Sequence, residues 1–571
     1  MEEAGDVGGG AVSAEFQRTK PRRLAFLAVC FAVMAIVLLT RLFYWQVLRR
    51  QDVLLSSPGN GPEVGGIAWR GSIYDSHGHF LAVPSLVYDV GATPRSLTDS
   101  ARVAELLAPL LGVPQSELSA KLSQKDRMWV PLALNLPAPK GRAVKDLKLL
   151  GIKLDVRPGR YYPEQRLAAS VLGFVNSEQR GYYGVEEYYD SRLRGSPGGG
   201  TGGLRVLLDL PFGQPPKNGA DLVLTIDRVV QRAAEQRLEA ALRDYQAQSG
   251  SIIVMDPRTG AILAMAVAPS YDPNAYTSVR SSDAYVNKAI SEPYEPGSVF
   301  KIVTMAAALD AGVIHRDDTY EDRGQIEVGG RLFRNWDRQA HGHTTMTQIL
   351  AYSLNVGAIE VAMRLGPDRF YEAVRRFGFG EVTGIDLAGE VAGTIRVPGT
   401  PYWSMSDLAA NSFGQGLAVT PIQLVAAVAA VANQGVLMRP YVVDKIIMDG
   451  QVVWQATPQA VRRVIAPNVA DELCDMLAHA MPEETSLAIV PGYTCAGKTG
   501  TAQIAVNGQY DEKAVIASFA GFLPAKDPRF VILVKLDRPQ REAWGSRSAA
   551  PVWRSLASQL CAYMGIPPDQ P

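Results

Sequence analysis

The chain has 571 residues, 47% hydrophobic and 20% charged, enough for more than one core. Its 57 basic and 57 acidic side chains leave a formal net charge of zero, which excludes the sustained positive field of a broad nucleic-acid face. Four cysteines without a C-x-x-C pair, and two close histidine pairs (His77 with His79, His341 with His343) without a third ligand nearby, argue against a metal centre; no metal or cofactor is expected.

The first element is "LAFLAVCFAVMAIVLLT", Leu24 to Thr40, which has no charge and continues past Arg41 into the aromatic cluster Phe43, Tyr44 and Trp45. A bilayer core needs roughly twenty apolar residues, so 24–47 is expected as a single transmembrane helix. "TRLFYWQ" follows in place of a small-x-small cleavage site, which favours an uncleaved signal anchor. Arg18, Lys20, Arg22 and Arg23 precede the run, while Arg41, Arg49 and Arg50 follow it, a balance that favours a cytoplasmic tail over 1–23. No second apolar run of spanning length occurs, so the remainder is expected on the outer side of the cytoplasmic membrane.

In "WRGSIYDSHGHFLAVPSLVYDVGATP", apolar residues interspersed around an Asp-Ser-His-Gly turn predict a twisted hairpin. "DSARVAELLAPLLG" has helical spacing, and the Gly-rich run Gly195 to Gly203 reads as a solvated linker. Residues 48–217 are therefore expected to be a mixed α+β region. Beyond it, a strand from Asp221 to Ile226 gives way to a helix at Asp227, a good N-cap, and a hairpin follows around Asp256 to Gly260. "AVIASFAGFLP" and "RFVILVKLD" add two late strands, and "AAPVWRSLASQLCAYMG" a closing helix. Strands from both ends enclosing a helical middle predict one α/β domain over 218–566, a mixed sheet flanked by helices, with a short tail over 567–571.

Three polar motifs stand within this second region. In "EPGSVFK", Ser298 and Lys301 are three apart, which on a helix places both on one face. A lysine can activate a serine only if burial or a neighbouring cation lowers its pKa from about 10.4. "AYSLNVG" then sets Ser353 and Asn355 at a break between two helical runs, a hydroxyl that can pass a proton and an amide that can hold a carbonyl or the lysine. "CAGKTGTAQ" supplies Lys498, Thr499, Gly500 and Thr501: a positive charge suited to a carboxylate and able to depress Lys301, hydroxyls, and a glycine that permits close backbone approach.

S-x-x-K, S-x-N and K-T-G in this order are the signature of penicillin-binding proteins and serine β-lactamases. With "RGSIYDSHGHFLA", "GYYGVEEYYDSRLRG", "MDPRTGAILAMAVAPSYDPNAY" and "SFGQGLAVTPIQLVAAVAAVANQG", the chain resembles the class B penicillin-binding proteins, more the division than the elongation type. It departs from many relatives in carrying Ser-Leu-Asn as its middle motif. The resemblance implies a non-catalytic, dimerisation-type pedestal followed by a peptidoglycan D,D-transpeptidase domain. Ser298 would be the nucleophile, Lys301 its base, Ser353 the proton relay and Asn355 the orienting amide. Lys498, Thr499, Gly500 and Thr501 would receive the substrate carboxylate, with the backbone N–H groups of Ser298 and Thr501 as oxyanion hole. Implied partners are peptidoglycan stem peptides, β-lactams, a membrane-embedded glycan polymerase of the shape, elongation, division and sporulation family, and other divisome or elongasome proteins. The alternatives are an elongation-type enzyme of the side wall, a β-lactam hydrolase, and a non-enzymatic scaffold that activates a glycan polymerase. Cys474, Cys495 and Cys561 allow three disulfide pairings, with one thiol always left over.

Overall fold

The Asp-Ser-His-Gly turn opens the fold because Asp75, 1% exposed, accepts from the backbone N–H groups of His77 (2.9 Å) and His79 (2.7 Å). It joins β1 (Ile73–Tyr74) to β2 (Phe80–Ala92), the hairpin that the alternation predicts. The computed structural model in which this is seen describes residues 68–196, 216–279, 281–506 and 509–570, with a few helical positions between 25 and 35. The expected tail over 1–23, nearly all of the expected anchor over 24–47 and the linker from Pro197 onward lie outside the described residues. Among the described residues, no helix is long and apolar enough to cross a membrane. Residues 1–65 and 66–571 are two separate compact units.

In the larger unit, β2 pairs antiparallel with both β3 (Val130–Pro137) and β4 (Ile152–Tyr161). Helices α1 (Ser100–Leu111), α2 (Gln115–Leu122) and α3 (Ala138–Asp146) close a small core around Val90, Leu107, Leu118 and Leu132. Asp99 caps α1, the helix that the spacing in "DSARVAELLAPLLG" predicts, by accepting from Arg102 N–H at 2.9 Å. On its other side β1 runs parallel to β5 (Asp221–Leu224), and β5 in turn pairs antiparallel with a strand from much later in the chain, Val443–Met448. The expected boundary near residue 217 therefore does not separate two sheets. One seven-stranded sheet takes strands from both sides of it.

A buried charge cluster holds the first region together. The short helix α4 (Gly184–Tyr188) carries Glu186, which accepts from Arg70 Nε and Arg160 Nε, both at 2.7 Å. Arg70 also reaches Asp190 at 2.7 Å, and the side chains of Arg70, Arg160 and Glu186 are 2% exposed or less. Burial by itself would raise the Glu186 pKa, but the Arg160 and Arg70 guanidiniums overcome it and hold the carboxyl below its ordinary value.

Asp227 caps α5 (Arg228–Asp244), accepting from the N–H groups of Val229 (2.8 Å) and Val230 (3.2 Å). The predicted hairpin is β6 (Ser249–Met255) with β7 (Ile262–Ala268). In chain order there follow α6 (Lys301–Asp310), α7 (Met346–Ala351), α8 (Asn355–Leu365), α9 (Pro421–Ala432) and α10 (Pro467–Glu484). The late strands are β8 (Val443–Met448), β9 (Gln451–Gln455), β10 (Ala496–Val506), β11 (Gln509–Leu523) and β12 (Phe530–Asp537), and the chain closes on α11 (Ala549–Met564). The second sheet is antiparallel, five-stranded and ordered β10-β11-β12-β6-β7, so it joins distant parts of the chain as expected.

Strands β6 and β12 are largely apolar and almost wholly buried because helices cover both faces of this sheet. α5 and α11 pack on one face through Val230, Leu238, Trp553 and Leu556. α9, buried along its whole length, lies on the other and separates the sheet from the helices that carry the polar motifs. Cys474, Cys495 and Cys561 are buried free thiols, burial pushing them up to about 12, 11 and 11.

Because the Glu186 pKa is depressed in the folded state, its stabilising contribution is present above the unfolded carboxylate value of about 4.3 and is lost as pH falls through the native one. Replacing Glu186 by Gln strands the buried Arg160 guanidinium and leaves Arg70 with Asp190 alone, and denaturant titration at pH 7 should show a loss of about 3–5 kcal/mol. The variant's stability should also respond less steeply to acid than that of the parent chain.

Candidate active site

Ser298 lies in the tight helical turn Gly297–Phe300 that leads into α6, and Lys301 is the first residue of that helix. The short turn brings Ser298 Oγ to 3.1 Å from Lys301 Nζ. Lys301 is 1% exposed, and its amine lies 2.6 Å from Ser353 O, 2.9 Å from Asn355 Oδ1 and 3.3 Å from Ser353 Oγ. Ser353 occupies the break between α7 and α8 with φ at +55°, a left-handed conformation that is strained for a non-glycine residue. That conformation lets its carbonyl and its hydroxyl both face the lysine.

The third motif arrives on β10. Lys498, 1% exposed, donates to Ser353 Oγ at 3.0 Å, so the Ser353 hydroxyl stands between two lysine amines. Gly500 allows the strand to lie against the serine turn, since a Cβ there would be 2.4 Å from Ser518 Oγ and 2.8 Å from Pro296 O. Thr501 Oγ accepts from Gly545 N–H at 3.0 Å and lines the cleft. All the residues singled out from the three motifs thus meet at one place, in or beneath a cleft of about 530 Å³.

Two features had no clear signal in the sequence. The cleft wall carries Trp336 and Trp544, packed edge to face with ring centres 5.3 Å apart, and Trp336 Nε1 donates to Tyr352 O at 2.9 Å. The other is Glu484, at the end of α10, whose Oε1 accepts from Lys498 Nζ at 2.5 Å and from both the N–H (3.1 Å) and the hydroxyl of Thr499. Lys498, read from the sequence as a charge awaiting a carboxylate, already holds one from its own chain. The glutamate stands in "MPEETS" next to a second glutamate, and no periodicity or motif distinguishes the two.

Burial is the largest influence on Lys301 and pushes its pKa well below the ordinary value; the Lys498 charge pushes the same way, and Glu484 opposes both. Lys498 is also lowered by burial, with Glu484 offsetting part of the effect. A neutral lysine amine has two N–H bonds and one lone pair. Ser353 O and Asn355 Oδ1 can only accept, so they take the two N–H groups and leave the lone pair for the Ser298 hydroxyl. The arrangement can therefore remove a proton from Ser298 and pass it through Ser353.

Comparison with known proteins agrees. Residues 250–558 match the penicillin binding protein transpeptidase domain, and residues 67–224 the penicillin-binding protein dimerisation domain. Stage V sporulation protein D of Bacillus subtilis is 33% identical over 565 residues, covering 96% of this chain and 87% of that protein. Peptidoglycan D,D-transpeptidase FtsI of Escherichia coli is 30% identical over 566 residues, covering 96% and 92%. Among solved structures, penicillin binding protein 3 of Mycobacterium tuberculosis in complex with aztreonam superposes with a TM-score of 0.70 at 29% identity, over 88% of this chain and 98% of that one. With a buried Ser-Lys pair, a bridging Ser-x-Asn and a Lys-Thr-Gly strand on a transpeptidase fold behind a dimerisation domain, the chain belongs to the class B penicillin-binding proteins.

Proposed function

We propose that the chain is a division-type peptidoglycan D,D-transpeptidase in which Ser298 attacks the carbonyl between the two terminal D-alanines of a stem peptide. The observation that carries this reading is the Lys301 amine, buried beside a second lysine with its N–H groups committed and its free valence toward Ser298. As the serine oxygen bonds to carbon, its proton moves to Lys301 Nζ. The backbone N–H groups of Ser298 and Thr501 receive the oxyanion, which bears full charge only near the transition state. Ser353 passes a proton to the departing amine, and the terminal D-alanine leaves an ester on Ser298.

The amine of a neighbouring stem peptide then attacks that ester, its proton returning by the same relay while Ser298 regains its own. A new amide cross-links the two strands. Thr501 and the field of Lys498 receive the terminal carboxylate, while both Thr499 donors are engaged by Glu484. Asn355 orients the donor peptide as well as Lys301. A β-lactam presents an acyl group and a carboxylate in the same relation, and so acylates Ser298. We further propose that residues 24–47 anchor the chain in the bacterial cytoplasmic membrane with the catalytic part outside, next to a membrane-embedded glycan polymerase. Support for this is the uncharged run Leu24 to Thr40 and its aromatic border.

Ser298→Ala should abolish labelling by a fluorescent penicillin while leaving the thermal unfolding midpoint within a few degrees of the parent; undiminished labelling removes the nucleophile assignment. In the parent the label should persist for many minutes, whereas rapid turnover would indicate a β-lactam hydrolase. The base must be neutral to act, so acylation should be lost as pH falls through the lowered Lys301 value and be sustained above it. Lys301→Arg, permanently charged, should cost about 10²–10⁴-fold at every pH. A fluorescent fusion should collect at the division septum, and an even side-wall distribution would restore the elongation alternative.

A further inference from the structure

Glu484 takes no bond-making part in this reaction, yet its side chain is only 2% exposed, against 1% for Lys498. It is the last residue of α10, where the helix dipole is negative and a carboxylate is disfavoured. Burial adds a second cost, so the position is tenable only if its partners compensate. They do so through one oxygen, Oε1, which receives Lys498 Nζ, the Thr499 N–H and the Thr499 hydroxyl. Lys498 Nζ in turn donates to Ser353 Oγ at 3.0 Å.

We propose that Glu484 is a positioning residue for acyl transfer: it anchors the Lys498 ammonium on the Ser353 relay and, by engaging both Thr499 donors, leaves the substrate carboxylate to Thr501. The inference rests on the assignment of Ser298, Lys301 and Ser353 above. Lys301 and Lys498 share a nearly dry site, where one counter-charge allows one of them to remain cationic and the other neutral. With Lys498 holding the proton, Ser353 Oγ accepts from it and its own O–H is free to serve the leaving amine. Without Glu484, the two lysines would compete for that proton, and a neutral Lys498 would polarise Ser353 less.

The other charged groups around the cleft offer no substitute. Glu483 bonds to Tyr352, Asp337 faces His341 at 2.8 Å, and Arg547 lies 3.8 Å from Glu542. Among the described residues, Lys498 makes its ion pair with Glu484 alone.

The test is the second-order rate of acylation of the full chain by a fluorescent penicillin, measured across the acid and alkaline limbs of its pH profile. Glu484→Gln keeps the shape and removes the charge. Its alkaline limb should move to lower pH, so that the rate on that limb falls about tenfold or more while the rate below it approaches that of the parent. The labelled peptide should still carry Ser298. A Gln variant whose limbs coincide with the parent's, at equal or uniformly reduced height, would overturn the proposal, because lost packing lowers a rate without moving its pH profile. If the Gln variant does not fold, Glu484→Asp decides: the retained charge should keep the alkaline limb in place while the rate drops, and a displaced limb counts against the role. Labelling of the parent at a residue other than Ser298 would instead defeat the transpeptidase assignment itself.

Discussion

A lysine amine whose charged form is penalised by burial and by a second cation is the constraint on which this molecule depends. In water the Lys301 side chain would be almost wholly protonated and useless as a base. Inside the protein its charge is penalised twice, by loss of solvation and by the ammonium of Lys498 across Ser353. Both penalties act only while the site stays dry and the three motifs stay within about one hydrogen bond of one another. Much of the fold can be read as the means of satisfying that condition.

The five-stranded sheet is the rigid part of the answer. Its strands come from residues 249–268 and 496–537, and the Lys-Thr-Gly strand is fixed at its edge by pairing with β11. α9, buried on every side, spaces the sheet from the helices that carry Ser298 and Ser353, while Gly500 permits the edge strand to touch the serine turn. Strain at Ser353 is tolerated because Lys301 and Lys498 hold its carbonyl and hydroxyl from two directions. The Arg70, Arg160 and Glu186 cluster performs a comparable task within the first region, and a shared sheet joins that region to the second. A rigid junction suits an enzyme that must hold its catalytic cleft at a defined place relative to a support.

Charge in the cleft is balanced rather than accumulated. Two buried lysines and one buried glutamate leave a single compensated pair when Lys301 is neutral. In the proposed reaction this balance gives the two cations different duties, one shuttling a proton and the other staying charged to polarise the relay. Engagement of Thr499 by Glu484 follows from the same pairing and, in that reading, leaves a substrate carboxylate to the next threonine along the strand.

The local elements were legible because they rest on local chemistry. Asp227 caps the helix that it was read to cap, the Asp75 turn makes its hairpin, and the apolar runs of β6 and β12 become doubly covered strands. Motif spacing also named the reacting groups, since Ser298 and Lys301 are one turn apart and the remaining polar residues need only arrive from elsewhere. What spacing could not contain was the distance between separate motifs, or the identity of a partner outside them. Glu484 has no motif and an adjacent glutamate of the same type; only the burial of α10 against β10 sets one of the two on Lys498. Likewise, the local pattern near residue 217 marks where a second region starts but not that strand pairing carries one sheet across it. By itself, then, the sequence pointed to the candidate catalytic groups and determined the Asp227 cap and the order of strands and helices, all of which depend on neighbours within a few residues. The tertiary structure alone decided which charges face one another in a dry site, because Coulomb energy and desolvation depend on separation in space and on the exclusion of water.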